Sequence, residues 1–263
     1  MSHYQLRVAA SLETLLEPSE EPVYREIDPP PDLAAFVECF WISEALADRC
    51  QRILPDGCID LLFYSRGSQL LDARVVGAMT RFHDVSLRGG ESILGVRFQP
   101  GMAGTCLPCD LPSLNDTTAP LAEVAGRATR LLFQHLARCS SIEARIEALG
   151  SRLVMRPKVT EVQQAIAELV RNCGDLAVAD FAGAAGLGNR QLRRACLRHS
   201  GLGPKQLSRI LRFRHASKLL REGAANLAGV ALDCGYYDQA HMIREFGPLA
   251  GTSPLRYRRQ NGG

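Results

Sequence analysis

Residues 180–196 read DFAGAAGLGNRQLRRAC and are followed by GLGP at 201–204, while residues 235–246 read GYYDQAHMIREF and are followed by GTSP at 251–254. The two stretches align at an offset of 50 positions and share an arginine, a glycine and a proline. Each predicts a helix, a short glycine-containing turn and a second helix, which is the layout of a helix-turn-helix unit. Two such units in tandem make binding of double-stranded DNA the leading hypothesis.

The basic residues are concentrated in the same part of the chain. From residue 159 onward there are 15 Arg and Lys against 8 Asp and Glu, whereas residues 1–158 hold 16 against 20. This asymmetry indicates that the C-terminal part binds a polyanion and that the N-terminal part binds a different partner. Charge alone does not exclude the alternative that these basic residues only keep the helix surfaces solvated. The 263 residues, 46% hydrophobic and 22% charged, are typical of a globular protein with one or two domains.

The N-terminal part carries the signature of β-structure. Residues 1–20 look like a weakly structured lead-in. Residues 22–100 contain short apolar runs between turn residues, which predict an antiparallel sheet or a small barrel. Within that range, residues 33–40 fit a helix equally well. A loop-rich crossing at 101–118 and two helices at 120–138 and 141–155 are expected to follow.

The rest of the chain is predicted to be helical almost throughout. Residues 156–158, Arg-Pro-Lys, mark the junction. Helices are predicted at 160–173, 176–185, 189–199, 204–221, 227–234 and 238–246, with a last helix from residue 254. We expect Gly247-Pro248 to end the helix that begins at 238 early, because proline cannot donate to the helix ladder.

The composition also bounds the compartment and the chemistry. No run reaches the roughly 18 to 20 apolar residues of a membrane helix, and residues 1–7 lack the layout of a signal peptide. The nine cysteines show no disulfide framework, so we expect a cytoplasmic protein with reduced thiols. Cys106 and Cys109 have the spacing of metal ligands, but no second pair accompanies them. We therefore predict no metal, no cofactor and no enzymatic activity.

The second helix of each unit carries the residue types that read DNA. A helix in the major groove buries one side and presents long polar side chains on the other. In the first unit the candidates are Asn189, Arg190, Gln191, Arg193, Arg194 and Arg198. In the second unit they are Gln239, Ala240, His241 and Arg244. For His241, a capping or phosphate-binding role is an equal alternative to base contact, and Asp238 is expected to cap the helix.

Residues 159–259 resemble the AraC/XylS family of bacterial transcription regulators. The resemblance is carried by AGLGNRQLRR at 185–194, RFRHASKLL at 212–220, ALDCGY at 231–236 and DQAH at 238–241, together with the GLGP and GTSP segments. It implies a seven-helix domain with two helix-turn-helix units in which positions 190, 193, 194, 239, 240, 241 and 244 face bases. It also implies RNA polymerase as a partner.

The chain departs from the family pattern at a few positions. Gly188 and Tyr237 stand where the family usually has a capping serine, and Cys196 replaces a core phenylalanine. These departures affect the capping and packing of the second helix of each unit, and both helices are still predicted.

The N-terminal part resembles a less characterised sensor-type domain found ahead of such units. The matching segments are RILPDGCIDL at 52–61, VG at 76–77 and GVRFQPG at 95–101. The resemblance implies a β-rich, cupin-like domain that binds a ligand or a partner. We assign Asp56, Asp60 and Arg97 as effector-binding candidates, while a turn aspartate and a structural ion pair are the alternative.

The sequence therefore predicts an α+β, two-domain transcription regulator. Residues 1–156 form a β-rich effector-sensing or dimerisation domain, followed by helices, and residues 157–263 form an all-α DNA-binding domain. Expected partners are double-stranded DNA and a small-molecule effector, with a homodimer left open and no membrane. The alternative is an enzyme or a protein-binding adaptor in residues 1–156 that the DNA-binding domain only localises.

Overall fold

The computed structural model describes residues 6–7, 23–107, 109–124, 126–153, 159–175, 177–224 and 226–261. The predicted junction at 156–158 and the lead-in at 1–20, except residues 6–7, lie outside these residues. The division into domains 1–156 and 157–263 therefore stays a prediction. Below, the N-terminal part means the described residues up to 153, and the C-terminal part means those from 159.

A seven-stranded antiparallel sheet forms the centre of the N-terminal part. Its strands are β1 (Leu6–Arg7), β2 (Val23–Ile27), β3 (Val37–Glu44), β5 (Ile59–Arg66), β6 (Gln69–Val76), β8 (Ser92–Phe98) and β9 (Thr118–Pro120). Their spatial order is β1-β2-β3-β8-β5-β6-β9. A second sheet pairs β4 (Arg49–Ile53) with β7 (His83–Leu87).

The predicted β-rich region is confirmed, and the ambiguity at residues 33–40 is resolved. The chain makes turns over 31–36 and enters β3 at Val37, where β2 and β8 supply hydrogen-bonding partners on both sides. The β-branched and aromatic residues of β3 suit such a central strand.

Alternation along the strands gives the large sheet two different faces. Ile59, Leu61 and Phe63 of β5 enter the main core, which also holds the helices. Between them, Leu62 points the other way and forms a second cluster with Trp41. The β4–β7 sheet lies over this second face and encloses a cavity with it.

Short helices complete the N-terminal part. They are α1 (Ala103–Cys106), a 3-10 helix (Leu111–Leu114), α2 (Leu121–Val124), α3 (Gly126–Leu136) and α4 (Ile142–Leu153). The crossing predicted at 101–118 thus contains α1, the 3-10 helix and the start of β9, and the described residues of the helix predicted at 120–138 are helical over Leu121–Val124 and Gly126–Leu136.

The C-terminal part contains seven helices in its described residues. They are α5 (Glu161–Arg171), α6 (Val178–Ala184), α7 (Asn189–Ser200), α8 (Pro204–Arg221), α9 (Leu227–Asp233), α10 (Gln239–Ala250) and α11 (Pro254–Asn261). The sequence repeat reappears as two equal pairs, since α6 and α9 have 7 residues each and α7 and α10 have 12 each. The predicted α+β fold, with a helical C-terminal part and two helix-turn-helix units, is confirmed.

The prediction that Gly247-Pro248 ends the second helix of the second unit early is wrong. α10 continues to Ala250 with Pro248 inside it. A proline in the last turn costs only the one hydrogen bond to the carbonyl of Arg244. Gly247 has no Cβ to collide with the proline ring, and the buried Leu249 holds the end of the helix in the core.

The two parts of the chain share one continuous hydrophobic core. Gln163, fully buried near the start of α5, donates from Nε2 to the Gly101 carbonyl oxygen over 3.2 Å. A Cβ on Gly101 would lie 2.7 Å from Ile166 Cδ1. The contact between α5 and residue 101 is therefore too close for any larger residue.

Candidate nucleic-acid interface and ligand cavity

The turn before α7 places this helix on the surface of the C-terminal part. Gly186 has a φ of 61°, a left-handed conformation that other residues seldom adopt. The Gly188 N–H donates to Gln191 Oε1 over 3.2 Å, which is the glutamine half of a capping box, and Gly188 has no side chain to make the bond that a serine would give. Leu192 and Cys196 are fully buried. One side of α7 is thus fixed to the core.

The opposite side of α7 is exposed and strongly basic. All six candidates on this helix are exposed: Asn189, Arg190, Gln191, Arg193, Arg194 and Arg198. In the part of the chain that the structure describes, none of the four arginines pairs with a carboxylate. Four like charges on one short helix repel one another, and a polyanion would relieve that repulsion.

The corresponding side of α10 carries less charge. Asp238 caps this helix as predicted, because its Oδ1 accepts from the His241 N–H over 2.6 Å. Gln239, Ala240 and Arg244 are exposed. This surface therefore offers an amide, a methyl group and a guanidinium group, each of which suits a different base edge.

His241 is held by its own neighbours. Its Nδ1 accepts from the Tyr237 N–H over 3.2 Å, and its Nε2 lies 3.6 Å from Glu245 Oε1. The ring also meets that of Tyr236 edge-on, with centroids 5.5 Å apart. These contacts favour the capping role for His241, while its base contact stays a prediction.

α8 connects the two units and packs with both of them. Its Phe213 contacts Phe246 of α10 with ring centroids 4.9 Å apart. Towards the first unit, the Ser208 hydroxyl donates to the Gly174 carbonyl oxygen. An 18-residue helix is about 27 Å long. A single rigid element thus relates the two surfaces.

The cavity between the two sheets has a volume of about 160 Å³. Most of its wall is apolar, and the residues include Trp41, Leu62, Val76, Met79, Val85 and Leu87. Apart from Asp60 and Arg97, the lining could not be predicted from local patterns, because it comes from strands and loops that are far apart in the chain.

Strand register arranges the floor of this cavity in three rows. Side by side across β3, β8 and β5 lie Cys39, Arg97 and Asp60; then Trp41, Gly95 and Leu62; then Ser43, Ile93 and Tyr64. A Cβ on Gly95 would lie 1.9 Å from Trp41 Cε2, so the indole lies directly against this glycine. Trp41 is 7% exposed and lines the cavity, and the alternation of Cys39, Trp41 and Ser43 along β3 could have indicated that position.

Charged groups meet at one end of the cavity. Arg97 Nε lies 3.4 Å from Asp60 Oδ1 and 3.4 Å from Asp56 Oδ2, and Arg97 Nη1 lies 3.7 Å from Glu26 Oε1. Burial raises the pKa of Asp60 to about 6, in spite of the opposing charge of Arg97. The structure thus brings together all three effector-binding candidates.

The three candidates do not line the same space. Asp60 and Arg97 line the cavity, whereas Asp56 lies beside Arg97 and lines a neighbouring cavity of about 90 Å³ against α8. Asp56 also has the turn role that was its alternative, since its Oδ1 accepts from the Cys58 N–H over 2.9 Å.

An ion pair joins the N-terminal part to α8 beside this smaller cavity. Arg214 of α8 pairs with Glu38 of β3, and Cys58 Sγ lies 3.1 Å from Glu38 Oε2. Burial alone would raise the pKa of Glu38, but the charge and hydrogen bond of Arg214 outweigh it and hold this pKa below its usual value. Glu38 therefore stays ionised at neutral pH.

A polar pair lies at another place on the cavity wall. His83 Nε2 lies 3.0 Å from Asp116 Oδ1, and Asp116 also accepts from the Thr80 N–H over 2.8 Å. Sequence reasoning missed this pair, because no motif links two residues 33 positions apart.

Among the described residues, no group of three or more His, Cys, Asp or Glu side chains is arranged so that it could hold a metal ion. Cys106 and Cys109 are free thiols, and burial raises the pKa of Cys106 to about 11, which favours the protonated thiol. None of the described helices has both the length and the apolar character that crossing a lipid bilayer requires.

Two family matches divide the chain. Residues 181–260 match a helix-turn-helix domain family, and residues 25–120 match a domain family of unknown function, DUF6597. The first range contains α7 and α10, and the second contains most of the cavity wall. No curated protein matches the chain.

Several solved structures are similar. The DNA-binding domain of AdpA in complex with a target DNA is 23% identical, with a TM-score of 0.37, and the match covers 38% of this chain and 91% of that one. A regulator with an AraC-type DNA-binding domain from Chromobacterium violaceum is 24% identical, with a TM-score of 0.36, covering 38% and 91%. ToxT from Vibrio cholerae is 10% identical, with a TM-score of 0.45, covering 85% and 98%.

Proposed function

Residues 181–260 form an AraC-type helix-turn-helix domain, and from this we propose that the protein is a transcription regulator that reads DNA with two units at once. In this proposal α7 and α10 enter successive major grooves on one face of the duplex, about 34 Å apart. One copy of the chain then reads an asymmetric site without needing a second copy.

The observation that carries the proposal is the equivalence of α7 and α10. Each has 12 residues, begins after a glycine-containing turn, buries one side and exposes the other. Each ends at a left-handed glycine, Gly201 with a φ of 75° and Gly251 with a φ of 71°. Both pack on α8, so a single helix relates their positions.

The exposed side chains divide between affinity and specificity. Arg190, Arg193, Arg194 and Arg198 supply charge for phosphates, and a guanidinium group can also bind guanine through two hydrogen bonds. Asn189, Gln191 and Gln239 carry amides that suit adenine, although the Oε1 of Gln191 is already used in the cap. Ala240 can meet a thymine methyl group, and Arg244 a guanine or a phosphate.

Selection of bound sequences from a random duplex pool by the full chain tests the proposal. The expected result is one asymmetric site with two unlike conserved segments, centred about one DNA turn, or about 10.5 base pairs, apart. A single conserved segment, a palindrome or no enrichment would each overturn the two-unit reading.

We further assign the cavity of the N-terminal part to a small-molecule effector that acts on DNA binding. Its concave apolar wall with a few convergent polar groups is typical of ligand sites. Two further partners are proposed: RNA polymerase, which the family resemblance implies, and a second copy of the chain, which the sequence leaves open. Addition of purified polymerase to the protein–DNA complex, followed by footprinting, tests the first of these: an extended footprint is expected, and an unchanged one would count against it.

A further inference from the structure

We propose that the cavity between the two sheets binds a small organic cation, with an apolar ring or short chain over Trp41 and an ammonium group at Asp60 beside Arg97. This inference rests on the proposed function in one respect, since it names the ligand class of the effector cavity. It is carried by the size of the cavity, by the order of the residues on its floor and by the charge at one end.

The size of the cavity limits the ligand to about one ring. A volume of about 160 Å³ is close to that of an engineered protein cavity of about 150 Å³ that binds benzene. The space inside the cavity therefore matches a single ring.

The floor of the cavity separates an aromatic row from a charged row. Trp41 and Leu62 flank Gly95 in the middle row, and the absence of a side chain at Gly95 leaves room for the indole. Arg97 and Asp60 lie in the adjacent row, two residues further along their strands, which is about 7 Å away. A ligand on this floor therefore places its apolar body on the indole and its polar end at Asp60.

The charged end has an excess of negative charge. Arg97 faces three carboxylates: Asp60 at 3.4 Å, which lines this cavity, and Asp56 at 3.4 Å and Glu26 at 3.7 Å, which line the neighbouring cavity. All three distances exceed the roughly 2.8 Å of a tight charge-assisted hydrogen bond. One guanidinium group thus shares three carboxylates loosely, and an ammonium group would take up the surplus while a carboxylate ligand would be repelled.

Burial of the carboxylate adds to this preference. The side chain of Asp60 is 17% exposed, so its charge is only weakly screened by water and favours a cation over a neutral molecule of the same shape.

Calorimetric titration of the full chain at neutral pH with three probes of one size tests the inference. The probes are benzylamine, benzyl alcohol and benzoate, which carry a positive, a zero and a negative charge. We expect benzylamine to bind at least about tenfold more tightly than benzyl alcohol, and benzoate to bind more weakly than both. Equal affinities, tighter binding of benzoate, or failure of all three to bind would each overturn the proposal.

Substitutions locate the binding on the floor of the cavity. Asp60→Asn should weaken benzylamine at least about tenfold and leave benzyl alcohol nearly unchanged. The matched control is Asp72→Asn on β6, where the carboxylate pairs with Arg74 at 2.8 Å outside the cavity and should not affect any probe. Leu62→Trp, which fills the middle row, should remove binding of both benzylamine and benzyl alcohol. Retention of benzylamine binding in that variant would contradict the site even if Asp60→Asn failed to fold.

The same protein preparations are titrated with the selected duplex, which separates this inference from the proposed function. A chain that binds the duplex but prefers no cation would refute the ligand class alone. A chain that binds benzylamine as expected but selects no DNA would refute the DNA-binding proposal alone.

Discussion

At the scale of single residues, Arg194 is the sharpest test of base reading. It is exposed in the middle of α7, and its removal should leave the fold intact. We expect Arg194→Ala to weaken binding to the selected site by about 1–3 kcal/mol and to relax the preference at one base pair. The control is Arg171→Ala, an exposed arginine on α5 outside the two units. Titrations with the site and its single-base variants would contradict the assignment if both substitutions had the same effect.

A second prediction at this scale concerns pH. Asp60 has its pKa raised to about 6 by burial, and the charged groups facing it are Arg97 of β8, Asp56 before β5, Glu26 of β2 and Glu38 of β3. Benzylamine prefers the ionised carboxylate, so protonation of Asp60 competes with it. The affinity for benzylamine should be constant above about pH 7. Below about pH 6 it should fall by up to about tenfold for each pH unit. Calorimetric titrations across this range test it, and Asp60→Asn should show no such fall; an unchanged affinity of the wild type at low pH would rule out this role.

At the scale of elements, the ends of the reading helices can be tested with two glycines. Gly186 and Gly201 both have positive φ, 61° and 75°. A Cβ on Gly186 would meet nothing closer than 3.7 Å, whereas one on Gly201 would lie 2.8 Å from Asn115 Oδ1. We expect Gly186→Ala to cost about 1 kcal/mol of unfolding free energy from the backbone alone, and Gly201→Ala to cost more because it also displaces Asn115. Urea denaturation compares the two variants, and equal losses would show that the contact with Asn115 contributes nothing.

The helices of the C-terminal part could be predicted from the sequence because their signals are local. Thr160 caps α5 by accepting from the Gln163 N–H over 3.3 Å, and Asp238 caps α10 in the same way. Burial of one side follows from periodicity, as for Leu192 in α7. The prediction at Pro248 was wrong because the free-energy cost of a proline depends on its position in the helix. A proline in the last turn removes few backbone hydrogen bonds, and the sequence alone did not show where this helix ends.

The cavity could be predicted only in part. Asp60 and Arg97 were found through the resemblance of their segments, but they become neighbours only through the pairing of β5 with β8. His83 and Asp116 are brought together by the closing of the β4–β7 sheet over the larger one. Pairing of distant strands is a tertiary effect that residue patterns do not encode locally.

At the scale of the whole molecule, the shared core predicts cooperative unfolding. Gly101 lies against Ile166, and Gln163 bonds to the Gly101 carbonyl oxygen, so separation of the two parts would expose apolar surface and break buried polar contacts. We expect the full chain to unfold in one calorimetric transition, with equal calorimetric and van't Hoff enthalpies. Two resolved transitions would show that the parts unfold independently.

The left-handed glycines that end both reading helices touch the N-terminal part at separate places. A Cβ on Gly201 would meet Asn115, and one on Gly251 would lie 2.8 Å from the ring of Phe82. We expect these two contacts with the β-rich part to fix the distance between the helices. Under the proposed function, residues at the contacts would determine the length of the operator spacer, and the groove-facing side chains would determine the sequence of each half-site.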